Sequence, residues 1–186
     1  MRLGILVSWR GSNLEAVLDA GFEVALVISN RPGVRALDVA RDHGVASAVL
    51  PRSAFADAAA RDAAIGAALT DANVAICLLA GYDQLLGPAF FASFGGRTIN
   101  IHPSLLPAHG GRGMVGIAVH QSVLAAGEPE TGVTIHEVTA DLDAGPIVAQ
   151  ARVPVLAGDD AETLAARVLA EEHRLLVATL AELAAW

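Results

Sequence analysis

The chain has 186 residues and a formal net charge of −8, and its length suits one domain with a sizeable core. All 12 basic residues are arginines without a basic run, and aromatic residues make up only 4%, which excludes a nucleic-acid groove built from clustered cations and stacking rings. Although 54% of the residues are hydrophobic, the longest strongly apolar stretch, 74–80, is far shorter than the roughly 20 residues of a membrane-spanning helix. The one cysteine, Cys77, lies in that stretch without a disulfide partner, which favours the cytoplasm.

Strand-like and helix-like segments alternate along the whole sequence, without repeats or a linker. In chain order we predict a strand at 3–8, a helix at 12–20, a strand at 22–29, a helix at 34–43, a strand at 46–50, a helix at 55–69, a strand at 74–80, a short helix at 88–94, a strand at 97–102, a helix at 116–126, strands at 131–138 and 147–155, and a closing helix at 161–185. This order predicts an α/β fold in a single domain over residues 1–186, with a mostly parallel sheet and helices on both faces. In such sheets ligands bind beyond the carboxyl ends of the strands.

The loop after the first predicted strand carries the first candidate site, in the sequence SWRGSN at 8–13. Gly11 lets the backbone approach a ligand closely, and free N–H groups at the start of the next helix suit a phosphate, to which Arg10 would add charge. Ser12 or Asn13 would also serve as an ordinary helix cap, and the loop taken alone favours this second interpretation. The dinucleotide pattern GxGxxG is absent, which argues against a nicotinamide cofactor.

Asn100 and His102 form the second candidate, at the carboxyl end of the strand predicted at 97–102. Residues two apart on a strand face the same side, so the two side chains project together. An amide donor beside an imidazole can stabilise an oxyanion and manage a proton. The alternative is a pair of satisfied polar residues at the end of a strand.

Asp143 is the third candidate, in the loop between the last two predicted strands. It could lie against His102 and keep it charged, or order a water for proton relay. An ordinary Asp-Gly-Pro turn explains the same loop without any function. We predict no metal site, because the other histidines show no ligand spacing; they are His43, His109, His120, His136 and His173.

Taken together and in chain order, these motifs resemble those of the formyltetrahydrofolate-dependent formyltransferases. The motifs are GSN at 11–13, NIHPSLLP at 100–107 and LDAGP at 142–146. Within that superfamily the chain is most similar to the branch that formylates glycinamide ribonucleotide in purine biosynthesis. The resemblance implies a Rossmann-like formyltransferase fold, 10-formyltetrahydrofolate as co-substrate and small-molecule partners. It leaves the oligomeric state open.

The resemblance also implies a role for each candidate residue. Asn100, His102 and Asp143 would be catalytic, with Asp143 keeping His102 protonated. The phosphate of the ribonucleotide would be held by Gly11, Ser12 and Asn13, and Glu172 would face its glycinamide part. The folate would be bound, chiefly through backbone groups, by Asp83, Gln84, Leu85, Leu86, Val138 and Asp141. Family members often carry basic residues where this chain has Gln84 and Ala58, so the contacts to the donor's tail differ here.

Four other functions are weighed against this one. An amino-sugar formyltransferase or a tRNA-directed enzyme would use the same centre but would usually need an added C-terminal domain. A formyltetrahydrofolate hydrolase would lack an acceptor site and would normally carry an N-terminal regulatory domain. A catalytically silent nucleotide-binding module is a different class, and the intact set of Asn100, His102 and Asp143 argues against it.

Overall fold

The structure, a computed structural model, describes residues 1–185, so residue 186 of the predicted domain lies outside the described part. Two compact units divide the chain, one ending at Ile99 and the other beginning at Asn100. The strands are β1 (Leu3–Val7), β2 (Val24–Ser29), β3 (Ser47–Val49), β4 (Ile76–Leu79), β5 (Arg97–His102), β6 (Glu130–Glu137) and β7 (Ile147–Pro154). The helices are α1 (Ser12–Asp19), α2 (Arg35–Asp42), α3 (Ala58–Asp71), α4 (Pro88–Ser93), α5 (Ile117–Ala126) and α6 (Ala161–Ala184).

The strands follow the order β3-β2-β1-β4-β5-β6-β7 in one sheet. β1 pairs in parallel with β2 and β4, and β2 pairs in parallel with β3, whereas β6 and β7 are antiparallel. The α/β class with a mostly parallel sheet is therefore confirmed. The organisation as a single domain stays a prediction.

β1 lies at the centre of the first unit because all five of its residues are apolar or glycine and buried. Helix α3 packs so closely on this strand that a side chain at Gly4 would come within 2.4 Å of Leu69 Cδ2. The strand order reverses between β1 and β4, since the chain first adds β2 and β3 on one side and then crosses to the other. Ligands bind at such a switch point, so the loops after β1 and β4 are placed to form a site.

The start of α3 differs from the prediction. The apolar pattern predicts a helix from Phe55, but a short 3-10 helix occupies Arg52–Ala54 and α3 begins at Ala58. Asp57 sets this boundary, because its extended backbone and its carboxylate cap the helix by accepting a hydrogen bond from the Ala60 N–H at 2.8 Å. The capping residue therefore outweighs the apolar pattern at this end.

The second unit contains the antiparallel β6–β7 pair and the long helix α6. Asp160 and Thr163 start α6 with a reciprocal capping box, in which each side chain accepts from the other residue's backbone N–H. In β6 and β7, Thr134 and Gln150 are paired, and both hold the turn that follows β5: Thr134 Oγ1 accepts from Leu106 N at 3.0 Å, and Gln150 Nε2 donates to Leu106 O at 3.0 Å. The exit from β5 is thus fixed by side chains of the neighbouring strands.

Within residues 1–185, no helix has both the length and the apolar character to cross a membrane. Cys77 is fully buried in β4, and its burial raises the pKa of the thiol far above the usual range.

Candidate active site

Gly11 is the N-cap of α1, with φ at 78° in the left-handed region. A Cβ at this position would lie 2.8 Å from Ala36 Cα and 2.7 Å from its Cβ, so both the backbone angle and the space require glycine. The alternative that Ser12 or Asn13 is the N-cap is therefore ruled out, because both lie inside α1 and the N-cap is Gly11. Glycine has no side chain with which to cap the first turn, which suits a phosphate site at this helix start.

Asp83, in the loop after β4, is held by residues from the ends of β1 and β2. Its carboxylate accepts hydrogen bonds from Ser8 Oγ at 3.1 Å, Asn30 Nδ2 at 2.8 Å and Arg31 Nη2 at 2.5 Å. Its backbone N–H donates to Ser8 Oγ at 3.0 Å. Burial alone would raise the pKa of this carboxyl, but the donors from Arg31, Asn30 and Ser8 outweigh it and the pKa is lowered. Both the side chain and the N–H of Asp83 are thus engaged within the protein.

The rest of that loop is held from α3. Arg61, which is 3% exposed, donates to Gln84 Oε1 and to the Leu85 carbonyl, while Asp62 accepts from the Gly87 N–H at 2.7 Å. The Leu85 side chain is 58% exposed, so it is the backbone of this segment that the contacts hold. The predicted folate contacts of this unit therefore lie in one loop, in which Leu86 is buried.

In the second unit, Asn100, His102 and Asp143 come together around His136. Asn100 Nδ2 donates to His136 Nε2 at 3.0 Å. Asp143 Oδ1 lies 3.6 Å from His136 Nε2, and Asp143 Oδ2 lies 4.0 Å from His102 Nδ1. The side chains of His102, His136 and Asp143 are 7%, 3% and 10% exposed, so a weakly paired carboxylate sits in a largely dry cluster.

The hydrogen bonds fix which nitrogen of each imidazole carries the proton. His102 Nε2 lies 3.0 Å from the His109 carbonyl and His136 Nδ1 lies 2.8 Å from the Glu137 carbonyl. Because a carbonyl oxygen only accepts, each of these nitrogens must donate. The amide nitrogen of Asn100 only donates, so His136 Nε2 is the acceptor of that hydrogen bond, and His102 directs Nδ1 towards Asp143.

Asp143 raises the pKa of His102, as expected, but burial outweighs this effect. Burial lowers the pKa of His102, and the nearby His136 lowers it further, whereas the His109 carbonyl and the Asp143 charge raise it by less. The net effect lowers the pKa of His102 below its usual value, which favours the neutral imidazole. A neutral His102 accepts a proton instead of donating a second one.

Asp143 has a left-handed backbone with φ at 52°, a conformation that Asp and Asn tolerate better than most residues. Its Oδ2 accepts from the Gly111 N–H at 2.8 Å, which aims the carboxylate inward. Gly145 closes the loop against β6, because a Cβ there would lie 1.9 Å from the Glu137 carbonyl oxygen. On the same loop, Val138 is half-buried and Asp141 is exposed.

Glu172, the residue expected on the amine side, is 9% exposed in the middle of α6. Among residues 1–185, no three His, Cys, Asp or Glu side chains are grouped as metal ligands would be.

Comparison with known proteins identifies the family to which this chain belongs. The family model described as formyl transferase matches residues 1–180. The chain belongs to the formyl transferase family. The phosphoribosylglycinamide formyltransferase of Escherichia coli is 38% identical over 94% of this chain and 83% of its own length. The crystal structure of phosphoribosylglycinamide formyltransferase from Brucella melitensis is 44% identical, with a TM-score of 0.89 over 100% of this chain and 96% of that one.

A third formyl transferase relative, the trifunctional purine biosynthetic protein adenosine-3 of Bos taurus, is 38% identical over 96% of this chain. This chain spans only 18% of that relative's length. The similarity therefore concerns one part of a larger protein in that case.

His136 is the residue of this cluster that sequence reasoning missed. From the sequence alone, His136 is considered only as a possible metal ligand. The available signal was its place in β6, where six consecutive residues from Thr131 are buried and a histidine needs polar partners.

Proposed function

We propose that this chain transfers the formyl group of 10-formyltetrahydrofolate to the amine of glycinamide ribonucleotide, a step of purine biosynthesis. The observation that carries this proposal is the cluster that Asn100, His102 and Asp143 form around the buried His136, in a member of the formyl transferase family. Its likeness to phosphoribosylglycinamide formyltransferases along nearly the whole chain supports the choice of acceptor.

The reaction asks for two things that this cluster can supply. When the amine attacks the formyl carbon, negative charge develops on the formyl oxygen, and we assign its stabilisation to an N–H of the Asn100 amide. The attacking nitrogen becomes positive and must lose a proton. Neutral His102 accepts that proton through Nδ1, the nitrogen that faces Asp143, and the carboxylate stabilises the imidazolium formed. The bond between the formyl carbon and N10 of the folate then breaks, and the imidazolium returns the proton to N10, so that tetrahydrofolate leaves and His102 is neutral again.

We assign the ribonucleotide phosphate to Gly11, Ser12 and Asn13, because the N-cap of α1 is a glycine, which offers no capping side chain to compete with a ligand. Glu172 is assigned to the glycinamide part. For the folate, the backbone of Asp83 to Leu86 is proposed in the first unit, and Val138 and Asp141 in the second. Since the Asp83 N–H is already bound to Ser8, the carbonyl side of that residue is the part left for the donor.

The proposed partners are small molecules and the proposed site of action is the cytoplasm, within a single catalytic domain. A net charge of −8 without a basic run supports the absence of nucleic acid from this list. The buried thiol of Cys77 suits a reducing compartment.

An acceptor screen tests the proposal. Purified protein is incubated with 10-formyltetrahydrofolate and, in turn, glycinamide ribonucleotide, amino sugars and water alone, and release of tetrahydrofolate is followed. We expect rapid turnover with glycinamide ribonucleotide only. Faster turnover with an amino sugar, or equal turnover without an acceptor, would instead establish one of the rival activities.

A further inference from the structure

We propose that Arg61 and Asp62 are positioning residues for folate binding, acting as a buried clamp that fixes the shape of the loop at residues 84–87. The inference rests on the proposed function, because it takes that loop to be part of the donor site. Neither residue belongs to any of the motifs that predict the reaction.

The clamp engages the loop at three points from one turn of α3. Arg61 donates from Nη1 to Gln84 Oε1 and from Nη2 to the Leu85 carbonyl at 3.1 Å. Asp62 Oδ2 accepts from the Gly87 N–H at 2.7 Å, just where α4 begins. Arg61 and Asp62 thus bond three groups of the loop: the Gln84 side chain, the Leu85 carbonyl and the Gly87 amide.

The two residues also bind each other. Arg61 Nε and Nη2 both donate to Asp62 Oδ1, at 3.0 and 2.6 Å, and the two side chains are only 4% and 3% exposed. Desolvating an ion pair this fully costs about as much as the pair returns, so stability alone is a weak reason to keep it. What the pair supplies, and an apolar pair does not, is directional hydrogen bonds to the loop.

The exposed side of the loop indicates why it matters that its backbone is held in place. Leu85 directs a 58% exposed side chain outward while its backbone is held from behind. A ligand that reads backbone groups binds more tightly when they are fixed in advance, because it does not have to order them. The clamp should therefore act on donor affinity and leave the chemical step unchanged.

The experiment removes both charges at once with the double variant Arg61→Met/Asp62→Leu, so that neither is left buried and unpaired. The chain offers a matched control in Arg41 and Asp42 on α2, which form the same neighbouring Arg–Asp pair, at 3.0 and 2.9 Å, but with side chains 69% and 64% exposed. Arg41→Met/Asp42→Leu makes the same chemical change at the surface. Arg61→Lys keeps the buried charge but loses the planar fork that reaches both Gln84 and Leu85.

Each protein is assayed for kcat, for the KM of both substrates, and for direct binding of 10-formyltetrahydrofolate by calorimetry without acceptor. In the clamp double variant we expect the donor's Kd and KM to rise about tenfold, with kcat and the acceptor KM within about twofold of wild type. Arg61→Lys should show a smaller rise in the same two constants, and the Arg41/Asp42 control none. If the double variant fails to fold, Arg61→Lys carries the same test.

An unchanged donor Kd in folded clamp variants overturns the proposal, and so does a parallel loss of kcat and both affinities, which would indicate a general structural role. Wild-type protein that binds no 10-formyltetrahydrofolate contradicts the proposed function itself. Wild-type binding with unaltered binding by the clamp variants contradicts the clamp alone.

Discussion

Two carboxylates, one in each unit, differ in how fully their oxygens are hydrogen-bonded. In the first unit, Asp62 accepts three hydrogen bonds at 3.0 Å or less, from Arg61 and Gly87. In the second unit, Asp143 accepts one, from Gly111 at 2.8 Å, while the nearest histidine nitrogens stay at 3.6 and 4.0 Å. A saturated carboxylate fixes structure, whereas a partly satisfied one keeps capacity for a proton or a ligand. The difference separates the residues that hold the site from those expected to react.

The largest expected effect is at Asn100. Asn100→Ala removes the proposed oxyanion donor, and loss of such a donor typically lowers kcat by about a hundredfold or more. The effect should fall on kcat more than on KM, because the contact strengthens only in the transition state. Steady-state kinetics at saturating donor measures it, and a variant whose KM alone has changed would show that Asn100 binds substrate without taking part in the chemistry.

Asp143→Asn sharpens the comparison directly, because asparagine keeps the shape and tolerates the left-handed backbone while losing the charge. We expect kcat/KM to fall by about tenfold or more, since the imidazolium of His102 would lose its counter-charge. In wild type, activity should decline as the pH falls below 6.5 through the lowered pKa of His102. Without the raising effect of Asp143, this acid limb should move to lower pH.

A pH–rate profile of both proteins from about pH 5 to 8 is the measurement. An unchanged rate and an unchanged profile would reduce Asp143 to a turn residue and remove the contrast between the two units.

Asp83→Asn tests a saturated carboxylate. Arg31, 42% exposed at its side chain, would lose its ionic partner, so a loss of about 1 kcal/mol in the free energy of unfolding is expected at pH 7, with kcat little changed. The pKa of Asp83 is lowered in the folded state, so its contribution is present above the unfolded value of 3.8 and is lost as the pH falls through the folded value.

Denaturant unfolding of wild type and Asp83→Asn at pH 7 and at about pH 3.5 should therefore give a smaller difference at the lower pH. A difference that is the same at both would show that the charge of Asp83 contributes nothing, and a large fall in kcat would place it in the chemistry.

The smallest effect concerns His120, buried in α5. Burial lowers its pKa, and the nearby His102 lowers it further, so the folded state prefers the neutral ring. The unfolded chain takes up the proton first, so stability is complete above pH 6.5 and declines below it, by at most about 1.4 kcal/mol per pH unit for each such histidine. His120→Gln should make the unfolding free energy less steep between pH 7 and 5.5. An identical slope in both proteins would exclude His120 as a contributor.

The sequence predicts every strand and every α-helix of the described chain to within a few residues, because buried apolar runs are separated by turns rich in glycine and polar residues. Helix ends are predicted less accurately than the helices themselves. Helix α3 begins three residues later than predicted, because the Asp57 cap decides its boundary. Strand spacing correctly places Asn100 and His102 at the end of β5.

The environment of the site was not predictable to the same degree. The neutral state of His102 depends on burial and on His136, which lies 36 positions from Asn100 and joins the cluster only through the fold. The hydrogen bond from Arg61 to Gln84 joins residues 23 positions apart, and no sequence motif indicates it. Local patterns identify reactive residues, whereas the contacts that tune them are set by tertiary packing.

Alkylation of the buried thiol in β4 can measure how often the first unit opens. Alkylating reagents attack only the thiolate, and Cys77 is both fully covered and raised in pKa, so it reacts only when the strand is exposed. Because it is the only cysteine in the 186 residues, any label acquired under native conditions reports that one event. With opening fast relative to alkylation, the labelling rate gives the free energy of opening at the centre of the parallel strands, without any denaturant.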